Sequence, residues 1–146
     1  AGGIGLIEIY DLDSDGTAIL ANLSTRGLVQ TGDEVMVGGF ILGGGTEGST
    51  VVIRAIGPSL RPFGISNALA DPTVELHDGN GDLVQSNDNW KDVPAQADEL
   101  KAIGFAPTND LESAIVGTFL PGAYTAIVAG KNGGSGVGLV EVYNLR

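Results

Sequence analysis

The chain contains no cysteine, which rules out disulfides and thiolate metal sites. At 146 residues it needs no such staples, since a chain of that length buries about 68–70% of its unfolded surface in its own core. The missing cysteine leaves the compartment open, because a chain of this size persists in an oxidising one without bridges. Positive charge is scarce. Seven Lys and Arg stand against eighteen Asp and Glu, a formal net charge of −11, which argues against nucleic acid or an anionic membrane as partner and makes cations the better company. No run of eighteen apolar residues occurs, so membrane insertion as a helix is not expected. Neither an initiator Met nor a charged-then-apolar leader is present, and the chain reads as a mature or excised segment. Histidine and tryptophan occur once each, which thins the choice of catalytic groups.

Glycine, by contrast, is abundant. Twenty-four Gly and six Pro punctuate apolar residues that make up 42% of the chain, a pattern of many short strands joined by tight turns rather than of disorder. Strands are expected near 3–10, 18–25, 34–42, 50–56, 72–77, 82–86, 113–119, 123–129 and 136–144. Val51, Ile53 and Ala55 alternate with Val52, Arg54 and Ile56, and Tyr124, Ala126 and Val128 with Thr125 and Ile127, so these strands carry apolar groups on both faces and belong in the middle of a sheet. Asp78-Gly79-Asn80-Gly81-Asp82 has the residues of a hairpin turn. Val93, Ala97, Leu100 and Ile103 fall at helical spacing, with Asp92 as N-cap, Pro94 in the first turn and Gly104 as the stop, which predicts one short helix over 93–103. Gly57 to Asp71, rich in Pro and Gly, reads as an irregular crossover between sheets. The expected fold is all-β: a single antiparallel, jelly-roll-like β-sandwich domain over 1–146, with about nine strands.

One segment occurs twice. Residues 3–12 read Gly-Ile-Gly-Leu-Ile-Glu-Ile-Tyr-Asp-Leu, and 136–145 read Gly-Val-Gly-Leu-Val-Glu-Val-Tyr-Asn-Leu, with six identities, three Ile-for-Val exchanges and one Asp-for-Asn. A period that long is not a small solenoid repeat. The pattern fits one repeating unit plus a second copy of a boundary strand, cut from a tandem array or built to join copies of itself. Both copies suit the same place in a sheet and one domain has one such place, so the spare copy is a candidate to pair with a neighbour. The expected strand-exchange interface is Ile4, Leu6, Ile7, Ile9 and Tyr10 in the first copy and Val137, Leu139, Val140, Val142 and Tyr143 in the second.

Asp11, Asp13 and Asp15, followed by Gly16, have the carboxylate spacing and bend of the start of a calcium loop. Position twelve of such a loop is Asn22 rather than a bidentate Glu, and the flanks read as strands, so an acidic turn is the competing reading. Calcium is the one cofactor the sequence suggests. Asp78, Asn80 and Asp82, with Asn87, Asp88 and Asn89 downstream, form a second oxygen-rich cluster that turn chemistry accounts for. Gly43 to Gly48 contains the G-x-G-x-x-G pattern, but a strand follows it rather than the helix whose N-terminus would bind phosphate. His77 alternates with Val74 and Leu76 and belongs on the solvent face of a strand. With no G-x-S-x-G elbow to present a serine, no catalytic triad is legible. Trp90 suits either stacking on a sugar or pinning its loop to the core, and the core reading is favoured. Arg26 and Arg54, flanked by apolar or small residues, are expected to pair with acids.

Leu120-Pro121-Gly122-Ala123-Tyr124, preceded by Leu76-His77-Asp78-Gly79-Asn80-Gly81 and Ser86-Asn87-Asp88, resembles the bacterial pre-peptidase C-terminal type of β-sandwich over about residues 72–143. Asn22-Leu23-Ser24-Thr25-Arg26-Gly27, Arg54-Ala55-Ile56-Gly57-Pro58-Ser59-Leu60, Ser86-Asn87-Asp88-Asn89-Trp90 and Gly138-Leu139-Val140-Glu141-Val142-Tyr143 resemble an uncharacterised repeat of large secreted bacterial proteins. In those proteins the Glu-x-Tyr-Asp-Leu strand leads into the next Asn-x-Ser-Thr-Arg-Gly, as Tyr10-Asp11-Leu12 leads into Asn22 here. The resemblance implies an extracellular or cell-surface bacterial module and no enzymatic activity.

The expected function is therefore structural: a subunit of an extracellular filament or surface array, homopolymeric and joined head to tail by exchange of a terminal strand. A calcium- or carbohydrate-binding accessory module of a secreted protein is the alternative.

Overall fold

A computed structural model describes residues 4–9, 20–43 and 46–145. Within them the chain forms β1 (Asn22–Val29), β2 (Met36–Leu42), β3 (Ser49–Ile56), β4 (Pro72–Asp78), β5 (Leu83–Asn87), α1 (Pro94–Ala102), β6 (Ser113–Phe119), β7 (Gly122–Gly130) and β8 (Gly136–Asn144). Two four-stranded sheets result, ordered β1-β8-β3-β6 and β2-β7-β4-β5. Every strand pair is antiparallel, and β1 pairs with β8, β2 with β7, β3 with β6 and β4 with β5. The chain thus runs like one long hairpin of four pairs wound over itself, which is the jelly roll.

Alternation decides which face each strand buries. Val51, Ile53 and Ala55 of β3, Val140 and Val142 of β8 and Ile115 of β6 point inward from the first sheet onto Val74, Leu76, Ala126 and Val128 of the second. The alternate residues Val52, Ala114 and Val116 point outward, where Trp90, Ala97 and Leu100 cover them. β3 and β6 are thus buried on both faces, and β3 is central in its sheet, as its doubly apolar pattern predicts. The crossover from β3 to β4 changes sheets as expected. It holds a 3-10 helix over Pro58–Phe63 and packs Leu60, Ile65 and Ala68 on Ile56, Val137 and Leu139.

Three expectations require correction. Among the described residues eight strands are seen rather than nine: residues 4–9 of the expected strand 3–10 form no strand, and 3 and 10 lie outside the described residues. The strand expected at 18–25 starts at Asn22 and runs to Val29, because pairing with β8 fixes its register from Asn22 opposite Tyr143 to Val29 opposite Gly136. The helix is N-capped by Val93 without a side-chain bond, since Asp92 Oδ2 is occupied by Asn89 N and Nδ2. Gly104, at φ 79°, does end the helix.

Candidate functional site: the place of the duplicated strand

β8 fills a slot between β1 and β3. Its residues Val137 to Tyr143 oppose Leu28 to Asn22 on one side, and Leu139 to Asn144 oppose Ile56 to Val51 on the other. Where β3 ends, the crossover replaces it: Val137 N donates to Asn67 O and Leu69 N donates to Val137 O, each at 2.8 Å. Two glycines make this fit possible. A Cβ on Gly136 would stand 2.6–2.8 Å from backbone atoms of Leu69 and Asn67, and one on Gly138 would stand 3.2 Å from Val29 Cγ2. Between them and the end of the strand, Val140 (2% exposed) and Val142 (6%) enter the inter-sheet core.

The outer face of the slot is polar and tightly bonded. Arg54 Nε and Nη2 donate to Glu141 Oε2 at 2.9 and 2.6 Å, and Tyr143 Oη donates to Glu141 Oε1 at 2.8 Å. Arg54 also reaches Phe105 O at 3.2 Å, with the Phe105 and Tyr143 rings in edge contact. Burial, followed by the neighbouring Glu141 carboxylate, raises the Tyr143 hydroxyl above its usual pKa. A groove of about 340 Å³ beside this cluster is lined by Arg54, Leu60, Leu139 and Glu141.

The first copy of the strand stands elsewhere. Ile4 (95% exposed), Leu6 (82%), Ile7 (85%) and Ile9 (59%) lie in solvent, while their counterparts Val137, Leu139, Val140 and Val142 are packed in the slot. The structure does not bring the two halves of the expected interface together. Tyr10, and the expected calcium ligands Asp11, Asp13 and Asp15, lie outside the described residues. Among the described residues no group of three or more acidic or histidine side chains is placed to hold a metal. In the second oxygen cluster Asp78, Asn80 and Asp82 form a turn: Asp78 Oδ1 accepts from Asn80 N at 2.8 Å and Asp82 N at 3.0 Å, and these bonds lower its pKa; downstream, Asp88 pairs with Lys131.

His77 is on the outer face of the second sheet, opposite Thr125, with Nε2 on Glu75 Oε2 at 3.0 Å and Nδ1 on Gly81 O at 3.1 Å. The Glu75 bond, with the Gly81 carbonyl behind it, raises its pKa. Ser59 Oγ donates to Glu112 Oε2 at 2.8 Å on the far side of the sandwich. A serine and a carboxylate meet there, and the one histidine lies across two sheets from them, so these residues assemble no triad. Arg54 pairs with an acid as expected. Arg26 is exposed and makes no ion pair among the described residues, because its outward place on β1 faces Leu139. Trp90 is in the core, with Nε1 donating to Asn109 O at 3.1 Å.

No protein-family model matches the chain, and neither does any curated protein. Among solved structures it is similar to the pre-peptidase C-terminal domain of a collagenase from Bacillus anthracis, at 16% identity, covering 84% of this chain and 89% of that one with a TM-score of 0.51. The likeness is one of fold. It agrees with the β-sandwich resemblance read from the turn motifs after β4 and before β7. None of the helices among the described residues is long and apolar enough to cross a membrane.

One structural residue escapes sequence reasoning. Glu112 is fully buried, and its carboxylate accepts from Gly57 N at 3.1 Å, Ser59 N at 2.9 Å and Ser59 Oγ at 2.8 Å. It ties the start of the crossover to the start of β6. The only cue in the sequence is an acidic residue one position before Ser113 and the apolar run Ala114-Ile115-Val116.

Proposed function

We propose that this chain is a non-catalytic structural module of a secreted bacterial protein, a subunit of an extracellular filament or surface array whose copies join head to tail by exchange of a terminal strand. One observation carries the reading: a sequence that forms the buried strand β8 at 136–144 is repeated at 4–9, where Ile4, Leu6, Ile7 and Ile9 are exposed. Burying four such side chains in a neighbour gains about 6–12 kcal/mol gross, at about 1.5–3 kcal/mol each. That is of the same order as the cost of association, about 4–15 kcal/mol. Where the receiver's own β8 gives up its place the two burials offset one another, so the gain is net only in a copy whose place is otherwise unfilled. Secretion is supported by the likeness to a domain of a bacterial collagenase, and the net charge of −11 favours protein partners over nucleic acid.

Electron microscopy and light scattering of the purified chain test the reading. Long unbranched filaments are expected, and deleting residues 1–12 should abolish them. A chain that stays monomeric at high concentration refutes it.

A further inference from the structure

We infer that the place of β8 is a strand-binding site with two interchangeable occupants, and that residues 4–9 of one copy are the second occupant, received between β1 and β3 of another copy in β8's register. This rests on the assembly proposed above and adds which strand is given and where it is taken up.

In β8's register Leu6 takes the position of Leu139, between Arg26 of β1 and Ile56 of β3, and Glu8 that of Glu141, beside Arg54. Ile7 and Ile9 take the positions of Val140 and Val142, opposite Ala55 and Ile53. Each inward exchange adds one methylene to the core, an adjustment that cores absorb when pattern and overall volume are kept. Gly5 takes the position of Gly138, where a side chain would meet Val29. In its present surroundings Gly5 has nothing within 4 Å of where a Cβ would stand. The sequence also keeps Gly3 where the slot requires Gly136. The exposed segment thus retains a glycine and an apolar alternation that the slot demands and that its present position does not use, and Glu8 repeats the carboxylate of Glu141. The numbers of slots and strands differ as well: each copy brings one slot and two occupants. A copy with β8 in place has residues 4–9 to give, and a copy whose β8 is withdrawn has a place to receive them.

Two full-length chains test this. In the acceptor, Val140→Asp and Val142→Asp drive β8 out of the core, and Ile7→Asp with Ile9→Asp disarm its own first copy. The donor is the wild-type chain. Refolded together, the two should form a 1:1 complex in which the acceptor melts about 10 °C or more above its value alone, and amides 4–9 of the donor should gain exchange protection. A donor carrying Ile7→Asp and Ile9→Asp should give no rescue. Absence of rescue by wild type, or equal rescue by the disarmed donor, overturns the inference. Rescue with a wild-type chain that never polymerises would sustain this site and refute the filament. Filaments without rescue would sustain the filament and refute this site.

Discussion

Arg54 on β3 and Glu141 on β8 are joined by two hydrogen bonds to one carboxylate oxygen, at 2.9 and 2.6 Å, with side chains only 21% and 12% exposed. The pair clamps β8 to the middle of its sheet from the outside while Val140 and Val142 hold it from the inside. Arg54→Ala leaves Glu141 with the Tyr143 hydroxyl as its remaining partner in a half-buried site, and should cost about 2–3 kcal/mol, the worth of hydrogen bonds to a charged group. Arg54→Lys should recover only part of this, because an ammonium cannot reproduce the fixed fork of donors. Chemical denaturation of the three proteins checks both.

Much of this architecture is legible in the sequence, and the limits have physical causes. Period-two alternation marks β3 and β7 as central, and glycine and proline mark nearly every turn, because these signals are local. The strand at 3–10 reads as strand for the same local reasons. It is not one here because β8, with nearly the same sequence, holds the slot, and competition between distant segments leaves no local trace. The register of β1 and the role of Glu112 are likewise set by partners far along the chain.

Glu112→Ala should lower stability by about 2–4 kcal/mol, because it strands the amides of Gly57 and Ser59 and leaves the Ser59 hydroxyl with Thr108 Oγ1 as its partner. Glu112→Gln should lose less, keeping one acceptor oxygen. Loosening should appear first at the crossover, so amide exchange at Gly57 and Ser59 is the measurement. Unchanged exchange there in the alanine variant would contradict the role assigned to Glu112.

His77 should titrate above its ordinary value of about 6.5, since its bond to Glu75 favours the imidazolium. The sign follows from linkage: a group whose folded pKa is raised contributes stability fully below the unfolded pKa and loses it as pH rises through the folded one. Stability should therefore decline as pH climbs from that value through the higher folded pKa. In Glu75→Gln the NMR midpoint should move back down and the decline should flatten. A wild-type midpoint at or below the ordinary value contradicts the pairing.

Trp90, the one tryptophan, sits over Val52, Leu100 and Val116 rather than on an open surface. Its fluorescence should be blue-shifted, should follow the global unfolding transition, and should not respond to soluble glycans. Leu100→Ala, which opens a cavity beneath it, should cost about 2–5 kcal/mol. A saturable glycan-dependent change in emission would restore the carbohydrate-binding alternative.

The sharpest consequence of the duplication is that one substitution has opposite effects in its two copies. Gly138→Val forces a side chain against Val29, whose Cγ2 would lie 3.2 Å from the new Cβ, and overpacking of this kind costs about 1–3 kcal/mol. Gly5→Val meets open space and should fall within about 0.5 kcal/mol of wild type in the dilute monomer, as exposed substitutions do. Once copies are linked through the first strand, the new valine would meet Val29 of the receiving copy. Its cost should then emerge as a fall in the melting temperature of the assembly with no fall in that of the monomer. Differential scanning calorimetry at low and high protein concentration separates the two states. A Gly5→Val chain that assembles with undiminished stability would mean that the first strand does not enter the slot of β8.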